Sequence, residues 1–262
     1  MDNEFSSLIQ DLEALFQDKI VYFKKLNKPV MGWCNTYVPE EIIMAAGFLP
    51  YRVMGAPVSL SASKAYMSGN ICSSIQSILE CELSGEYDFL DGMIIGASTE
   101  ATKRLYDAWL RYAKTSFCHY FDIPKFINES AIMHYTQSVD LLIEEIQNKF
   151  KIKINDAAIK DAILVCNKTR KLLTDLNDLR KQDNPPITSQ QFLDICKLSM
   201  ICDKNDFNSS FEKNIGKTKL GDNAKNKKYR ILITGSFQDQ SWLLDIIEQR
   251  NAMVVCVNFG PS

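Results

Sequence analysis

Cys34 lies between an apolar run and a helix start, a position that suits chemistry as well as packing. It follows Val30–Trp33 and precedes Pro39–Glu41, whose proline and carboxylates favour the first turn of a helix. Helix N-terminal amides and the helix dipole favour the thiolate, the form of cysteine that attacks electrophiles and binds iron. A packed, inert cysteine is the alternative, and position alone does not decide between them.

Cys72 is the second candidate. It lies in Gly69–Ser74, a stretch of small and polar residues that we interpret as the loop opening a helix toward Leu83. Strand-end loops of a parallel sheet lie side by side, so Cys34 and Cys72 could hold one metal cluster. The sequence has no C-x₂-C pair, which disfavours a zinc ribbon or a ferredoxin-type cluster.

Four other cysteines are predicted to pack in the core, because each has apolar neighbours. They are Cys118, Cys166, Cys196 and Cys256. In a reducing compartment all eight cysteines are expected to be thiols or metal ligands rather than disulfides.

Among the other titratable residues, Glu41 is the catalytic candidate. Glu40 and Glu41 could orient a substrate or act as a base near Cys34, although carboxylates in a first helical turn commonly just match the helix dipole. His119 and His134 fall inside a strand and a helical segment, and we predict structural roles for both. Gly235-Ser236 follows a strand, but without a G-x-G-x-x-G or Walker pattern it is weak evidence for nucleotide binding.

Composition excludes several classes of protein. The apolar share of 46% and the charged share of 24% are ordinary for a soluble globular chain. A net charge of −2 gives no positive field for a nucleic acid. The acidic start Met1–Phe5 lacks the layout of a signal peptide, and no apolar run approaches the ~20 residues of a membrane span. We predict a cytoplasmic protein without a membrane segment.

The elements that position the candidates alternate between strands and helices. Strands are predicted at 30–33, 48–53, 92–96 and 116–121. Helices are predicted at 4–26, 40–46, 61–84 and 99–114, with Gly47 ending the second. This alternation indicates an α/β fold with a doubly wound parallel sheet.

The second half begins with long helices and ends with one βαβ unit. Thr188 or Ser189 is available to cap a helix that restarts after Pro185-Pro186. We predict an N-terminal α/β domain over 1–128, a helical connector over 129–212, a linker over 213–228 and a partial second α/β domain over 229–262. This last domain is expected to be incomplete, because two parallel strands cannot bury both faces of a sheet.

The stretch Gly32–Pro50 resembles a known signature. Its strand, Cys-x-x-Tyr-Val-Pro-Glu-Glu, helix and Ala-Ala-Gly-x-x-Pro pattern is similar to that of 2-hydroxyacyl-CoA dehydratase and benzoyl-CoA reductase subunits, of the 2-hydroxyglutaryl-CoA dehydratase D-component type. Tyr87–Ile95, Arg104–Tyr106 and Arg230–Ser236 extend the resemblance over nearly the whole chain.

The resemblance implies flavodoxin-like domains and a [4Fe–4S] cluster, with Cys34 and Cys72 as two of its ligands. It implies an oxygen-sensitive heterodimeric lyase, made with a paralogous subunit and supplied with electrons by an ATP-dependent activator protein. The implied reaction removes water from a 2-hydroxyacyl-CoA through a ketyl radical.

Departures from the family pattern, including the end Val257–Ser262 where relatives often show acidic residues followed by a cysteine, keep other functions open. Thr99-Glu100 stands where many relatives have a cysteine-aspartate pair, and a further family ligand would lie beyond Ser262. We therefore expect an apparently truncated chain whose cluster is incomplete, shared across an interface or absent. A non-catalytic family member that acts as a binding or structural partner is one alternative, and a benzoyl-CoA reductase-like subunit is another.

Overall fold

The computed structural model describes residues 4–16, 18–183, 185–215, 229–236 and 241–260. These residues form two compact units. The sheet unit comprises Leu26–Ala162, and the helical unit combines the residues up to Lys25 with those from Ile163 to Gly260. The domain boundaries drawn from the sequence at 128, 212 and 228 stay predictions. Residues 216–228 of the predicted linker lie outside the described residues.

Strands and helices alternate through most of the chain. The strands are β1 (Val30–Cys34), β2 (Leu49–Arg52), β3 (Gly92–Ala97), β4 (Cys118–Asp122), β5 (Tyr229–Ser236) and β6 (Ala252–Gly260). The helices are α1 (Glu4–Phe16), α2 (Lys19–Leu26), α3 (Glu40–Ala45), α4 (Ser63–Tyr66), α5 (Ser73–Leu83), α6 (Glu100–Tyr112), α7 (Glu129–Phe150), α8 (Asp156–Leu179), α9 (Ser189–Ile201), α10 (Lys204–Ile215) and α11 (Ser241–Glu248).

The sheet unit contains a four-stranded parallel sheet with the order β2-β1-β3-β4. Every residue of the two central strands β1 and β3 is buried, as expected where helices cover both faces of a parallel sheet. The predicted doubly wound α/β fold is confirmed, and its strand order is consistent with a flavodoxin-like domain.

The two faces of the sheet pack against different helices. Phe121 lies 5.4 Å from Tyr135 of α7, whereas the adjacent Tyr120 lies 5.2 Å from Tyr106 of α6, both measured between ring centroids. Neighbouring residues of a strand point to opposite faces, so α6 and α7 lie on opposite sides. The core on the α7 side also includes Trp33 of β1 and Ile43 of α3. Helices α3 and α7 therefore lie on the same face of the sheet. On the other face, α5 packs beside α6.

Local sequence explains where several helices begin and end. Gly47 has a φ of 83° and ends α3, as predicted. The predicted helix over 4–26 is instead two helices, and the Asp18 carboxylate accepts a hydrogen bond from the Val21 amide, 3.0 Å away, at the start of α2. The 61–84 stretch likewise forms two helices, α4 and α5, rather than one.

The helical unit builds its own core from α1, α9, α10 and the part of α8 beyond Ile163. Thr188 caps α9 through a reciprocal pair of bonds with Gln191, which confirms one of the two predicted caps. The predicted βαβ unit is present as β5, α11 and β6, with the two strands parallel. No helix in the described part of the chain combines the length and apolar character that a bilayer crossing needs.

The prediction that Cys256 packs in the core was wrong, because this side chain is exposed. Ile231 pairs with Val254 and Leu232 pairs with Cys256, so Val255 is an extra residue on β6. The bulge places Cys256 opposite Leu232, which is 60% exposed. Cys166 is buried as predicted, while Cys118 and Cys196 are only partly covered.

Candidate metal-ligand site

Cys34 ends β1 and is followed by a turn that ties two loops together. Asn35 adopts a left-handed backbone with a φ of 84°, a conformation that asparagine tolerates better than most residues. The side-chain NH₂ group of Asn35 donates to the Ser98 hydroxyl, and the side-chain oxygen of Asn35 accepts from the Tyr37 amide at 3.2 Å. The loops after β1 and β3 are thereby joined. We refer to residues 34–39 as the Cys34 turn.

This turn lies at the point where the connections of the sheet diverge. The chain leaves β1 toward β2 on one side and leaves β3 toward β4 on the other, with α3 and α6 on opposite faces. Open α/β sheets bind their ligands in the crevice that forms at such a point. Gly96 allows the close approach, because a Cβ there would lie 2.7 Å from the Asn35 Cβ.

Burial dominates the chemistry of the Cys34 thiol. Its side chain is buried, and desolvation raises its pKa to about 12, with the Gly96 amide and the Arg52 charge acting in the opposite direction. The expectation that a helix N-terminus would hold a thiolate here was therefore wrong for the free thiol. The reason is that desolvation of the buried sulfur outweighs the nearby helix start at Glu40. A bound metal ion would displace the proton and reverse this preference.

Cys72 has the opposite surroundings. It is exposed and is the N-cap residue of α5, which confirms that its loop opens a helix ending at Leu83. The Ser74 hydroxyl donates to the Cys72 sulfur at 3.5 Å. We refer to residues 53–72, which connect β2 to α5, as the Cys72 loop.

One short segment connects the surroundings of the two cysteines. The Val53 amide donates to the Trp33 carbonyl at 2.8 Å, beside Cys34. Two residues later, a Cβ at Gly55 would lie 1.8 Å from the Ser77 hydroxyl of α5. Trp33 belongs to the core on the α3 and α7 side, so Cys34 points to the face that carries α5. Cys34 thus ends β1 at the carboxyl-end edge of the sheet, and Cys72 begins α5, the helix on the face toward which Cys34 points.

Arg52 is a charged residue of this edge that sequence reasoning missed. It ends β2, and its guanidinium carbon lies 4.8 Å from the centroid of the Trp33 ring. Burial lowers its pKa, and the proximity of Cys34 and Glu40 opposes that effect. The sequence did contain a signal for Arg52, namely an arginine at the end of an apolar strand. Such a position indicates a charged residue with a partner, because charged residues are seldom buried alone.

The other candidates occupy separate places. Glu41 lies in the first turn of α3, as predicted, and near enough to Tyr135 to add to the rise in the pKa of that phenol, which is caused mainly by burial. His119 Nδ1 lies 2.6 Å from Glu145 Oε2, and His134 Nε2 lies 2.9 Å from a carboxylate oxygen of Asp122. Each histidine thus has a carboxylate neighbour within the sheet unit. The catalytic role of Glu41 stays a prediction.

The donor set suits part of an iron–sulfur cluster. Two thiols, at the end of β1 and the start of α5, provide the soft ligands that iron–sulfur clusters take. Within the ranges that the structure describes, no three His, Cys, Asp or Glu side chains come together around one metal position. Thr99 instead caps α6, with its hydroxyl accepting from the Thr102 amide at 3.2 Å. The described residues therefore do not provide a full ligand set, and the ligand roles of Cys34 and Cys72 stay predictions.

Comparison with known proteins identifies the family. The model of the family described as "2-hydroxyglutaryl-CoA dehydratase, D-component" matches residues 35–260. This match covers most of the chain, so the protein belongs to that family. The resemblance found in Gly32–Pro50 is thereby confirmed.

The curated relatives are subunits of acyl-CoA enzymes. A benzoyl-CoA reductase subunit of Thauera aromatica is 27% identical over 90% of this chain and 63% of its own length. The (R)-phenyllactyl-CoA dehydratase beta subunit of Clostridium sporogenes is 25% identical over 97% of this chain and 67% of its own length. The lactoyl-CoA dehydratase beta subunit of Anaerotignum propionicum is 27% identical over 58% of this chain and 40% of its own length. The chain spans about two thirds or less of the length of these relatives.

Proposed function

We propose that this protein is one subunit of an iron–sulfur 2-hydroxyacyl-CoA dehydratase. Support for the proposal comes from the position of Cys34 at the end of β1 and of Cys72 at the start of α5, in a chain of the dehydratase D-component family. Family membership supplies the class of enzyme, and the two thiols supply this chain's share of a cofactor site.

In the proposed reaction, one electron reduces the thioester carbonyl of the substrate to a ketyl, which expels the 2-hydroxyl group as hydroxide. The β-hydrogen then leaves as a proton, and the electron is returned. Hydroxide and proton together make the water that is lost. An ATP-dependent activator protein is the proposed electron source. A [4Fe–4S] cluster, when bound, would supply the electron and a Lewis-acidic iron.

The residues of this chain would hold and shape the site. Cys34 and Cys72 would ligate iron through their sulfur atoms. Arg52 places a positive charge beside Cys34, which favours ligation by a thiolate over the neutral thiol. The hydrogen bond between Asn35 and Ser98 fixes the Cys34 turn, and burial of Cys34 itself keeps water from the sulfur. Glu41 is the proposed base for the β-proton.

The remaining ligands and part of the active site are proposed to come from outside the described residues, including a paralogous subunit. One surface of the sheet unit supports an interface with such a partner. Phe126 and Ile127, in the loop after β4, are 77% and 103% exposed. Apolar side chains that protrude so far suit burial against another protein.

A reductase is the second candidate, favoured by the similarity to a benzoyl-CoA reductase subunit over 90% of this chain. A non-catalytic family member that retains the fold and the interface between subunits is the third. Its support is that no three His, Cys, Asp or Glu side chains of the described residues come together around one metal position, and that Thr99 serves as a helix cap.

Anaerobic purification with the paralogous subunit tests the proposal. We expect a brown complex that contains iron and sulfide and dehydrates a 2-hydroxyacyl-CoA. Cys34→Ser should remove the cluster and the activity together, while Cys256→Ser, at an exposed thiol of the helical unit, should leave both unchanged. Absence of iron and sulfide after reconstitution would contradict the dehydratase and reductase proposals alike. Turnover of an aromatic thioester in place of a 2-hydroxyacyl-CoA would favour the reductase.

The interface between subunits has a test of its own. Replacing Phe126 and Ile127 by serine should weaken association with the paralogous subunit about tenfold or more, because buried apolar anchors dominate binding energy. Leu110→Ser, at a side chain of α6 that is 57% exposed, is the matched control. Equal affinity of the two variants, measured by titration calorimetry, would rule out this surface as the interface.

A further inference from the structure

The Cys72 loop has little regular structure of its own. In the 20 residues from Val53 to Cys72, only the single turn α4 is helical. A loop of this length is expected to sample several conformations unless other elements restrain it. Two side chains of α5, Glu80 and Gln76, provide such restraints. They are one helical turn apart and therefore lie on the same side of the helix.

Glu80 holds the middle of the loop. Its carboxylate accepts hydrogen bonds from the backbone amides of Ser61 at 3.1 Å, Ala62 at 3.1 Å and Ser63 at 2.8 Å. The Ser61 hydroxyl donates a fourth bond at 3.1 Å. Hydrogen bonds to Ser63 are the main reason that the pKa of Glu80 falls to about 2.

Gln76 holds the end of the loop. Its side chain is 3% exposed, and its amide nitrogen donates to the carbonyls of Ser68 at 3.2 Å and Ile71 at 3.1 Å. Ile71 directly precedes Cys72. The two protons of one buried amide thus fix the backbone up to the residue before the proposed ligand.

We propose that Gln76 and Glu80 are positioning residues that hold the Cys72 loop in one conformation, so that the Cys72 sulfur is preorganised for cluster binding. This inference rests on the proposed function, since it assigns the two side chains to the same site. A ligand on a loop needs such support, because a metal site tolerates only small displacements of its ligands.

A role confined to the stability of the fold is the competing explanation, and Glu82 provides the control for it. Glu82 lies on the same helix, is 3% exposed and accepts a backbone hydrogen bond, but from the Lys114 amide at 3.0 Å. Glu82→Gln therefore perturbs a helix carboxylate without touching the Cys72 loop. Glu80→Gln and Gln76→Met each remove a restraint on the loop while nearly preserving side-chain volume.

The first experiment uses the full metal-free chain. Hydrogen exchange followed by mass spectrometry should show the amides of residues 61–63 exchanging about tenfold or more faster in Glu80→Gln, because bonds to a charged acceptor are lost. Gln76→Met should change the alkylation rate of Cys72 relative to the exposed Cys256, which serves as the internal reference. Glu80→Asp, which keeps the carboxylate, should restore part of the protection. Glu82→Gln should leave both quantities at their wild-type values.

The second experiment compares reconstituted complexes. The comparison is made between variants that unfold at the same Tm. Under this condition, Gln76→Met and Glu80→Gln should bind less iron and sulfide than Glu82→Gln, or show an altered electron paramagnetic resonance spectrum. If both variants match Glu82→Gln in exchange, alkylation and iron content, the inference is overturned. If the wild type itself binds no iron, the proposed function fails, while exchange and alkylation still show whether the two side chains restrain the loop.

Discussion

The Cys34 turn and the Cys72 loop present the same functional group in opposite ways. The Cys34 sulfur is buried at the end of a central strand, and its position is fixed by the sheet. The Cys72 sulfur is exposed at the start of a helix, and its loop is held by the side chains of Gln76 and Glu80. The difference teaches that one candidate ligand depends on the core of the fold, whereas the other depends on a few polar bonds.

Thiol chemistry should show the largest contrast between the two regions. Burial raises the pKa of Cys34 to about 12 from its ordinary value of 9.0, so its thiolate should be about 1,000 times scarcer near pH 8 than that of an ordinary thiol. Iodoacetamide should therefore modify Cys72 and leave Cys34 intact in the native, metal-free chain. Peptide mass spectrometry checks this, and comparable labelling of the two residues would contradict the assigned burial.

Glycine substitutions should separate a rigid region from an adaptable one. Gly96→Ala places a Cβ 2.7 Å from the Asn35 Cβ, an atom fixed to the backbone, and should lower the free energy of unfolding by about 2–3 kcal/mol. Gly55→Ala meets the Ser77 hydroxyl at 1.8 Å, which can rotate away, and the Ser74 backbone carbonyl oxygen at 2.9 Å. Because Gly55 lies in a loop that can shift from this oxygen, a smaller loss of about 1–2 kcal/mol is expected.

Gly69→Ala is the control for both variants, since a Cβ at Gly69 would have no atom within 4 Å. Urea denaturation followed by circular dichroism gives the three values. Equal losses in Gly96→Ala and Gly55→Ala would remove the distinction between the two regions.

A pair of variants at Asn35 separates backbone strain from hydrogen bonding within the Cys34 turn. Asn35→Gly keeps the left-handed backbone accessible but removes the bond to Ser98, whereas Asn35→Ala loses both. We expect losses of about 1 kcal/mol for the glycine variant and about 2 kcal/mol for the alanine variant. An alanine variant as stable as the glycine variant would show that the φ of 84° does not lower the free energy of unfolding.

Acid should loosen the Cys72 loop before it disturbs the Cys34 turn. The pKa of Glu80 is lowered to about 2 from 4.5, so its bonds contribute stability above pH 4.5 that is lost as the pH falls toward 2. Hydrogen exchange at residues 61–63, corrected for its intrinsic pH dependence, should therefore lose protection across this interval. Glu80→Gln should lack the pH dependence, and an unchanged profile in that variant would exclude Glu80 as its source.

The fold was predictable because apolar periodicity and turn residues report burial along the chain. The strands β1 to β4 and the cap at Thr188 follow from such local patterns. The protonation of Cys34 was not predictable, because burial by distant residues outweighs a nearby helix start. The restraints from Gln76 and Glu80 were missed for a related reason. A side chain that bonds to backbone atoms of a loop leaves no periodic signal in the sequence.

The bulge in β6 has a practical consequence for handling the protein. Because Val255 is an extra residue, Cys256 pairs with the 60%-exposed Leu232 of β5 and is itself exposed on this two-stranded sheet. In aerated buffer such a thiol forms intermolecular disulfides, which would give covalent dimers unrelated to any native interface. Gel filtration of this protein should therefore be run with a reductant before any oligomer is interpreted, because Cys72 is exposed as well.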